Sequence, residues 1–265
     1  ARYAAGAGQS AADALSRAPG VVITQHSGEG KAHQIFLRGF DAVHGQDIEI
    51  HVGGVPVNEP SHVHGQGYAD LHFVIAESLL RLDVLEGPFS PRQGDFAMAG
   101  SFDLELGLAR RGFLARTSVG SFGALRGLVA WGPEETSERT FLAAEIGLTD
   151  GFGPARAAER TAATAQAELD LGSGWWLRAL GSAYLGRFDS AGVLRLEDYQ
   201  AGRAGFLDAP FPGQGGRSER HQGLLELRTE RALREGAVSV YVVRRDLELR
   251  QNFTGFLLEA DRGDM

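Results

Sequence analysis

Histidine dominates the chemistry available to this chain. Of eight histidines, all but His221 fall before residue 73: His26, His33, His44, His51, His62, His64 and His72. Two of them stand in the run Asn58-Glu59-Pro60-Ser61-His62-Val63-His64-Gly65-Gln66-Gly67-Tyr68-Ala69-Asp70. A His-x-His pair in an extended segment puts both imidazoles on one side, within reach of a shared metal ion. His26 or His33 could complete such a site, as could Glu59 or Asp70. Two histidines alone fall short of the three or four ligands of a stable zinc site. Two other readings therefore stand beside metal binding: contact with an organic or chelated ligand, and plain hydrogen bonding by polar, glycine-spaced loop residues.

Other chemistries are thinly represented. There is no cysteine, which excludes thiolate metal sites, disulfides and cysteine nucleophiles. The chain has no Gly-x-Ser-x-Gly elbow, no phosphate-cradling loop with Lys and no His-Glu-x-x-His helix. It does not read as an enzyme, and no resident cofactor is implied. A formal charge of −8 argues against a nucleic-acid partner, because phosphate contacts need clustered Lys and Arg.

The elements that must position these residues come in two textures. Ser10, three residues ahead of Asp13, predicts a capped short helix through Leu15 and Arg17, ended by Pro19-Gly20. Strand-like pieces follow at Val21–Thr24, Ile35–Arg38, Ile48–Val52, Leu82–Leu85 and Ser101–Leu106, with one helical turn near Ala76–Leu80. Beyond Gly107 the strands are longer and alternate strictly. Ala165, Ala167, Leu169 and Leu171 share one face, opposite Thr164, Gln166, Glu168 and Asp170. Leu142, Ala144, Ile146 and Leu148 repeat the pattern, opposite Ala143, Glu145 and Gly147. A sheet between lipid and a wet lumen requires one polar and one apolar face; a soluble sheet with one solvated face alternates in the same way. Short turns (Gly172-Ser173-Gly174, Arg231–Gly236) alternate with long Gly/Pro-rich loops (Asp150–Arg160, Arg187–Arg220), which favours an outer-membrane barrel. About seven strands of ~10 residues fit the sequence after Gly107. Mean hydropathy is −0.15 and glycines number 37, as a turn-rich β chain allows, and no run approaches the ~20 apolar residues of a membrane helix.

Taken together, several motifs resemble the plug domain of TonB-dependent outer-membrane receptors. They are Asp13-Ala14-Leu15, Ala18-Pro19-Gly20-Val21, Ile35-Phe36-Leu37-Arg38-Gly39-Phe40, Gly54-Val55-Pro56-Val57-Asn58 and Arg81-Leu82-Asp83-Val84-Leu85-Glu86-Gly87-Pro88. Val119-Gly120-Ser121-Phe122-Gly123 resembles the family's first barrel hairpin. Two departures stand out: Gly53-Gly54 where the family commonly has Asp-Gly, and Ala99-Gly100-Ser101-Phe102 where it has Gly-Gly-hydrophobic.

The resemblance implies an α+β plug over residues 1–106, followed over 107–265 by an incomplete antiparallel transmembrane β-barrel of a family with ~22 strands. It implies TonB-dependent active uptake of a scarce ligand, such as a siderophore, corrinoid, metal chelate or glycan, across the outer membrane of a Gram-negative bacterium. The partners would be a TonB-type energy-coupling protein of the inner membrane, the small-molecule ligand and outer-membrane lipid. Nothing in Ala1–Gln9 resembles a TonB box, so the coupling peptide is expected to lie outside this chain. Residues 24–34 and 58–70 would be apical plug loops, making His26, His33, Asn58, Ser61, His62, His64, Gln66 and Tyr68 the candidate ligand contacts. His62 and His64 would be the metal-binding pair, with metal or chelate as cargo. Arg38, Arg81 and Arg92 are candidate plug partners for Glu145 and Glu168 of the barrel lumen. Trp175, Trp176 and Tyr184 would join an interfacial aromatic girdle. An outer-membrane sensor and a soluble β-sheet ligand-binding module remain the alternatives.

Overall fold

A computed structural model describes residues 10–25, 30–211, 213–231 and 234–252. At the start of the N-terminal domain, Ser10 and Asp13 bond reciprocally: the Ser10 N–H donates to Asp13 Oδ2 at 2.7 Å and the Asp13 N–H to Ser10 Oγ at 3.3 Å. The predicted helix winds as a 3-10 turn, Ala12–Arg17, burying Ala12, Ala14 and Leu15. Strands β1 (Val21–Thr24), β2 (Gln34–Leu37) and β3 (Phe40–Asp41) form one small antiparallel sheet. Strands β4 (Ile48–Val52), β5 (Val55–Pro56), β6 (Leu79–Glu86) and β7 (Gly100–Leu106) form a second, ordered β5-β4-β7-β6, with β4 parallel to β7. The helical turn expected near residue 76 is a second 3-10 turn, Ala76–Ser78, closed by Ser78 Oγ donating to the Ile75 carbonyl at 2.7 Å.

Alternation explains how this domain is held. Ile48, Ile50 and Val52 of β4 and Phe102, Leu104 and Leu106 of β7 all point inward and are buried, as period-two side chains on one face of a sheet must. Gly53 and Gly54 join β4 to β5 with φ of +58° and +79°. A two-residue turn with both central φ positive is the type I′ hairpin, so Gly-Gly serves the geometry as well as Asp-Gly would. A Cβ on Gly53 would stand 2.8 Å from Leu180 Cδ2 in the neighbouring large sheet.

That large sheet holds seven antiparallel strands in chain order: β8 (Gly112–Val119), β9 (Leu125–Gly132), β10 (Phe141–Thr149), β11 (Ala158–Gly172), β12 (Trp175–Asp189), β13 (Gly215–Arg231) and β14 (Arg234–Arg250). The strands run further than the sequence pattern implied. β12 extends to Asp189 and β13 begins at Gly215, so the connection expected over Arg187–Arg220 shrinks to residues 190–214, which also carries the short helix α1 (Leu196–Gln200).

The two faces of this sheet settle the ambiguity left by alternation. Glu145, Thr164 and Gln166 are buried under the N-terminal domain. Leu142, Ile146, Leu148, Leu169, Leu171, Val240 and Val242 are exposed, Val240 at 72 %. A soluble sheet covers its apolar face and wets the polar one; here the order is reversed, as in a wall whose outer face meets lipid. Of the expected girdle, Trp175 is on the open face, joined by Phe113 and Trp131. Tyr184 is buried against the N-terminal domain and Trp176 lies under Arg228, 5.6 Å from ring centre to guanidinium carbon.

The main core is continuous across both units, running from Leu15, Ile50, Phe102 and Leu104 to Leu128, Phe141, Leu180 and Leu224 of the sheet. Leu104→Ala should therefore cost ~2–5 kcal/mol by opening a cavity, whereas Leu142→Ala on the open face should cost under ~1 kcal/mol. Chemical unfolding in detergent, followed by loss of protease resistance, compares the two.

Candidate functional site

Three bridges fasten the N-terminal domain to the polar face of the large sheet, and each puts a carboxylate of the domain against an arginine presented by the sheet or its connections. Glu77 accepts from Arg116 Nη1 at 2.8 Å and from Arg126 Nη1 and Nη2 at 2.7 and 2.6 Å. Arg126 Nε continues to Glu145 at 2.8 Å, and Arg160 lies 3.4 Å from the same carboxylate. Burial alone would raise the Glu77 pKa; the hydrogen bonds and charge of Arg126, with Arg116, overcome it and hold the carboxyl below its usual range. In the second bridge Glu105 accepts from Arg139 Nε at 2.7 Å, and Arg139 Nη1 reaches Glu168 at 3.2 Å. Arg228 Nη2 at 2.8 Å and Ser137 Oγ at 2.7 Å complete the Glu168 carboxylate. In the third, Arg245 bonds Glu59, lies 3.5 Å from Asp70 and stands 5.1 Å from the Tyr68 ring centre. Such forked, charge-assisted bonds fix geometry as well as energy.

Above the third bridge the histidines gather around Tyr68. His62 stacks on the Tyr68 ring at 3.8 Å, with planes 9° apart; His64 and His44 lie 5.9 and 5.6 Å from it. Tyr68 itself is buried, and its hydroxyl accepts the Ala32 N–H at 2.6 Å. His62 Nδ1 accepts the His64 N–H at 3.1 Å, which leaves the ring proton on Nε2. Burial, then the charges of Arg245, His64 and His44, push the His62 pKa from 6.5 down to about 4. His62 is thus a neutral ring whose Nε2 is a donor. Ligating a metal through Nε2 would require the other tautomer and loss of the His64 N–H bond. Among the described residues no group of three or more His, Cys, Asp or Glu is arranged to hold a metal ion.

Beside this stack, where the long connections leave the sheet, a cavity of about 450 Å3 opens on the polar face. Gly30, Arg126, Arg160, Tyr184 and Phe188 are among its walls. Gly30 has φ +85°, and a Cβ there would come 2.0 Å from the Phe188 ring; only glycine lets the loop pass beneath that ring.

Residues 2–101 match the family model of the TonB-dependent receptor plug domain. The chain carries a TonB-dependent receptor plug. Solved structures agree in fold over the rest of the chain. The copper transporter OprC matches 89 % of this chain at 18 % identity with a TM-score of 0.66. The unliganded ferric citrate transporter FecA matches 90 % at 18 % identity and 0.66. The ferric yersiniabactin uptake receptor FyuA from Yersinia pestis matches 88 % at 15 % identity and 0.60. The matched part is 36 %, 38 % and 38 % of those proteins respectively. Beyond the plug, the described strands share the fold of part of the barrel wall in these structures.

His26 lies outside the described residues. His33 stacks on His72 at 5.1 Å, and His72 Nδ1 is 2.6 Å from buried Asp70. Ser61 and Gln66 are exposed at the plug apex. Asn58 is committed to holding its own loop: it accepts the Ile50 N–H at 2.7 Å and donates to the carbonyls of Gly45, Ile48 and Gly67. The expected plug arginines do not reach the barrel directly. Arg38 pairs with Glu86, and Arg81 with Asp83 at 2.6 Å and Glu105 at 3.2 Å. Arg92 donates its backbone N–H to Ser90 at 3.3 Å. Glu145 and Glu168 do sit at the interface, but each meets arginines of its own sheet or its connections, which in turn hold plug carboxylates. The polarity is the reverse of the expectation: the plug supplies the acids. Glu77, Glu105, Arg126, Arg139 and Arg245 carry no sequence signal, because a lone charged residue in a strand, a connection or a 3-10 turn has no spacing signature.

The His62 shift sets a pH dependence. A ring held neutral in the fold stabilises its loop above the ordinary pKa of 6.5, and that contribution is lost as pH falls from 6.5 toward about 4. The protection factors of residues 59–68, which correct for the intrinsic pH dependence of exchange, should fall as pH drops through that window, and His62→Phe, which keeps the stack, should flatten the dependence. An unchanged pH profile in His62→Phe contradicts the assignment.

Proposed function

We propose that this chain belongs to a receptor that actively takes up a scarce ligand across the bacterial outer membrane, driven by a TonB-type protein of the inner membrane. The observation that carries the proposal is a plug seated by buried ion pairs on the polar face of a sheet whose other face is apolar and open. Lipid covers that open face in this reading, and the plug blocks the lumen. Plug and barrel wall divide near residues 106–107, between the end of β7 and the start of β8. The cargo is a siderophore, corrinoid, metal chelate or glycan, and the copper and ferric citrate transporters that share the fold favour a metal-bearing one.

Cargo binds at the plug apex and in the adjoining cavity. Ser61 and Gln66 supply plug contacts, beside the half-buried rings of His62 and His64 and with His33 in the neighbouring loop; Tyr184 and Phe188 supply a flat apolar wall. Asn58 and Tyr68 act by holding the apical loop rather than by touching cargo. Metal arrives already chelated, since the neutral His62 offers a donor and not a lone pair at its buried Nε2.

Uptake of ferric and copper chelates, a corrinoid and a glycan by cells producing the receptor, with and without TonB, tests this reading. One cargo class should accumulate only with TonB, and Tyr184→Ala should cut its uptake at limiting concentration about tenfold, the effect of losing one buried aromatic contact. Accumulation that persists undiminished without TonB contradicts active transport.

A further inference from the structure

Lys31 is the single lysine of the chain, and it is buried at 8 % exposure in the plug's outer loop. Its amine donates to Gln251 Oε1, just past the end of β14. The neighbouring residue, Asn252, is fully buried and donates its backbone N–H to Gln214 Oε1 at 2.7 Å. Gln214 stands at the root of the 190–214 connection. Its carbonyl accepts the Ser190 N–H at 3.1 Å, and its Nε2 donates to the Phe211 carbonyl at 3.1 Å. A chain of hydrogen bonds thus runs from the plug loop through residues 251 and 252 to both ends of the longest connection in the sheet. Beside it, Gly30 passes under Phe188 at the end of β12, and the Lys31 carbonyl accepts from Gln25 Nε2 at 2.9 Å.

We propose that Lys31 is a coupling residue: it fastens the plug's outer loop to the hydrogen-bonded root of the 190–214 connection, so that displacing the connection releases the loop. The connection is built to be displaced. Leu196 and Phe206 are 68 % and 75 % exposed, so its body gains little from burial, while its two ends are pinned through Gln214. Contact made by anything on that exposed body would pull on Gln214, then on residues 251–252, and then on Lys31. Ion pairs deeper in the interface, at Glu77 and Glu105, are not in this path, so the outer loop can be freed while the plug stays seated. The inference concerns motion alone and stands whether or not the proposed cargo reading holds.

The lone lysine makes the test selective. The protein in native membranes is treated with an amine-reactive N-hydroxysuccinimide ester, and the peptide containing Lys31 is followed by mass spectrometry. Lys31 should react slowly in the wild type. Gln251→Leu and Gln214→Ala should each raise its rate about five- to tenfold, the change expected from losing one hydrogen bond. Gly192→Ala offers a second route, because a Cβ there would meet Gln214 Nε2 at 2.2 Å, and it should raise the rate as well. Leu207→Ala, in the same connection but outside the bonded root, should leave it unchanged. Hydrogen exchange at β7 amides, expected to stay at the wild-type level in all variants, separates loop release from unfolding. Fast labelling in the wild type overturns the proposal. So does acceleration by Gln251→Leu with none from Gln214→Ala or Gly192→Ala.

Discussion

The structure depends on carboxylates of one unit being held by guanidinium groups of the other across a largely buried interface. Glu77 with Arg126, Glu105 with Arg139, and Glu59 with Arg245 are ion pairs that tie the plug to the sheet, beside the shared apolar core and the Lys31–Gln251 bond. A sheet that turns its apolar face outward must bury its polar face somewhere, and buried charge is tolerable only when paired. The plug answers that requirement by bringing acids to the places where the barrel wall brings arginines. Glu145 and Glu168 then complete the coordination of Arg126 and Arg139 from the wall itself, so neither of these two guanidinium groups relies on the plug alone. The plug can be held in register without being welded in place, because each pair gains little net free energy over solvated ions.

That division of labour also organises the apex. Arg245 anchors Glu59, and Asn58 ties the adjoining backbone with four hydrogen bonds. The loop between them and Tyr68 is therefore a supported platform on which His62 and His64 stack, with the His44 ring tilted against it. Burial, with the charge of Arg245 next to it, lowers the His62 pKa and keeps the ring neutral. A cavity with Tyr184 and Phe188 among its walls opens on the same face of the sheet.

Much of this was legible in the residues, and the gaps have physical reasons. Strands Val21–Thr24 and Ile48–Val52 and the alternating faces around Glu145 and Thr164 are short-range patterns, and the structure places them as the alternation predicts. The plug motifs worked because they combine turns and strand ends whose geometry few residues satisfy, as Gly53-Gly54 shows. The parallel pairing of β4 with β7 was not legible, since register between strands about fifty residues apart leaves no local mark. Nor was the direction of the ion pairs. Arg81 and Glu145 have the types of interface residues, but partner choice depends on three-dimensional placement, and Glu77 inside a 3-10 turn has no pattern at all. Histidine spacing at 62 and 64 did locate the apical cluster, while its chemistry turned on Tyr68 and Arg245, neither of which that spacing could implicate.

The central claim is that the plug is held by direct coupling between plug acids and wall arginines, and a double-mutant cycle on Glu77 and Arg126 tests it most directly. Native-state hydrogen exchange at β7 amides would give the opening free energy of the plug for the wild type, Glu77→Gln, Arg126→Met and the double variant. The account predicts a coupling energy of ~1–3 kcal/mol, with the double variant far less harmed than the sum of the singles. Effects that add to within ~0.5 kcal/mol would mean that the two residues act independently and that packing alone seats the plug.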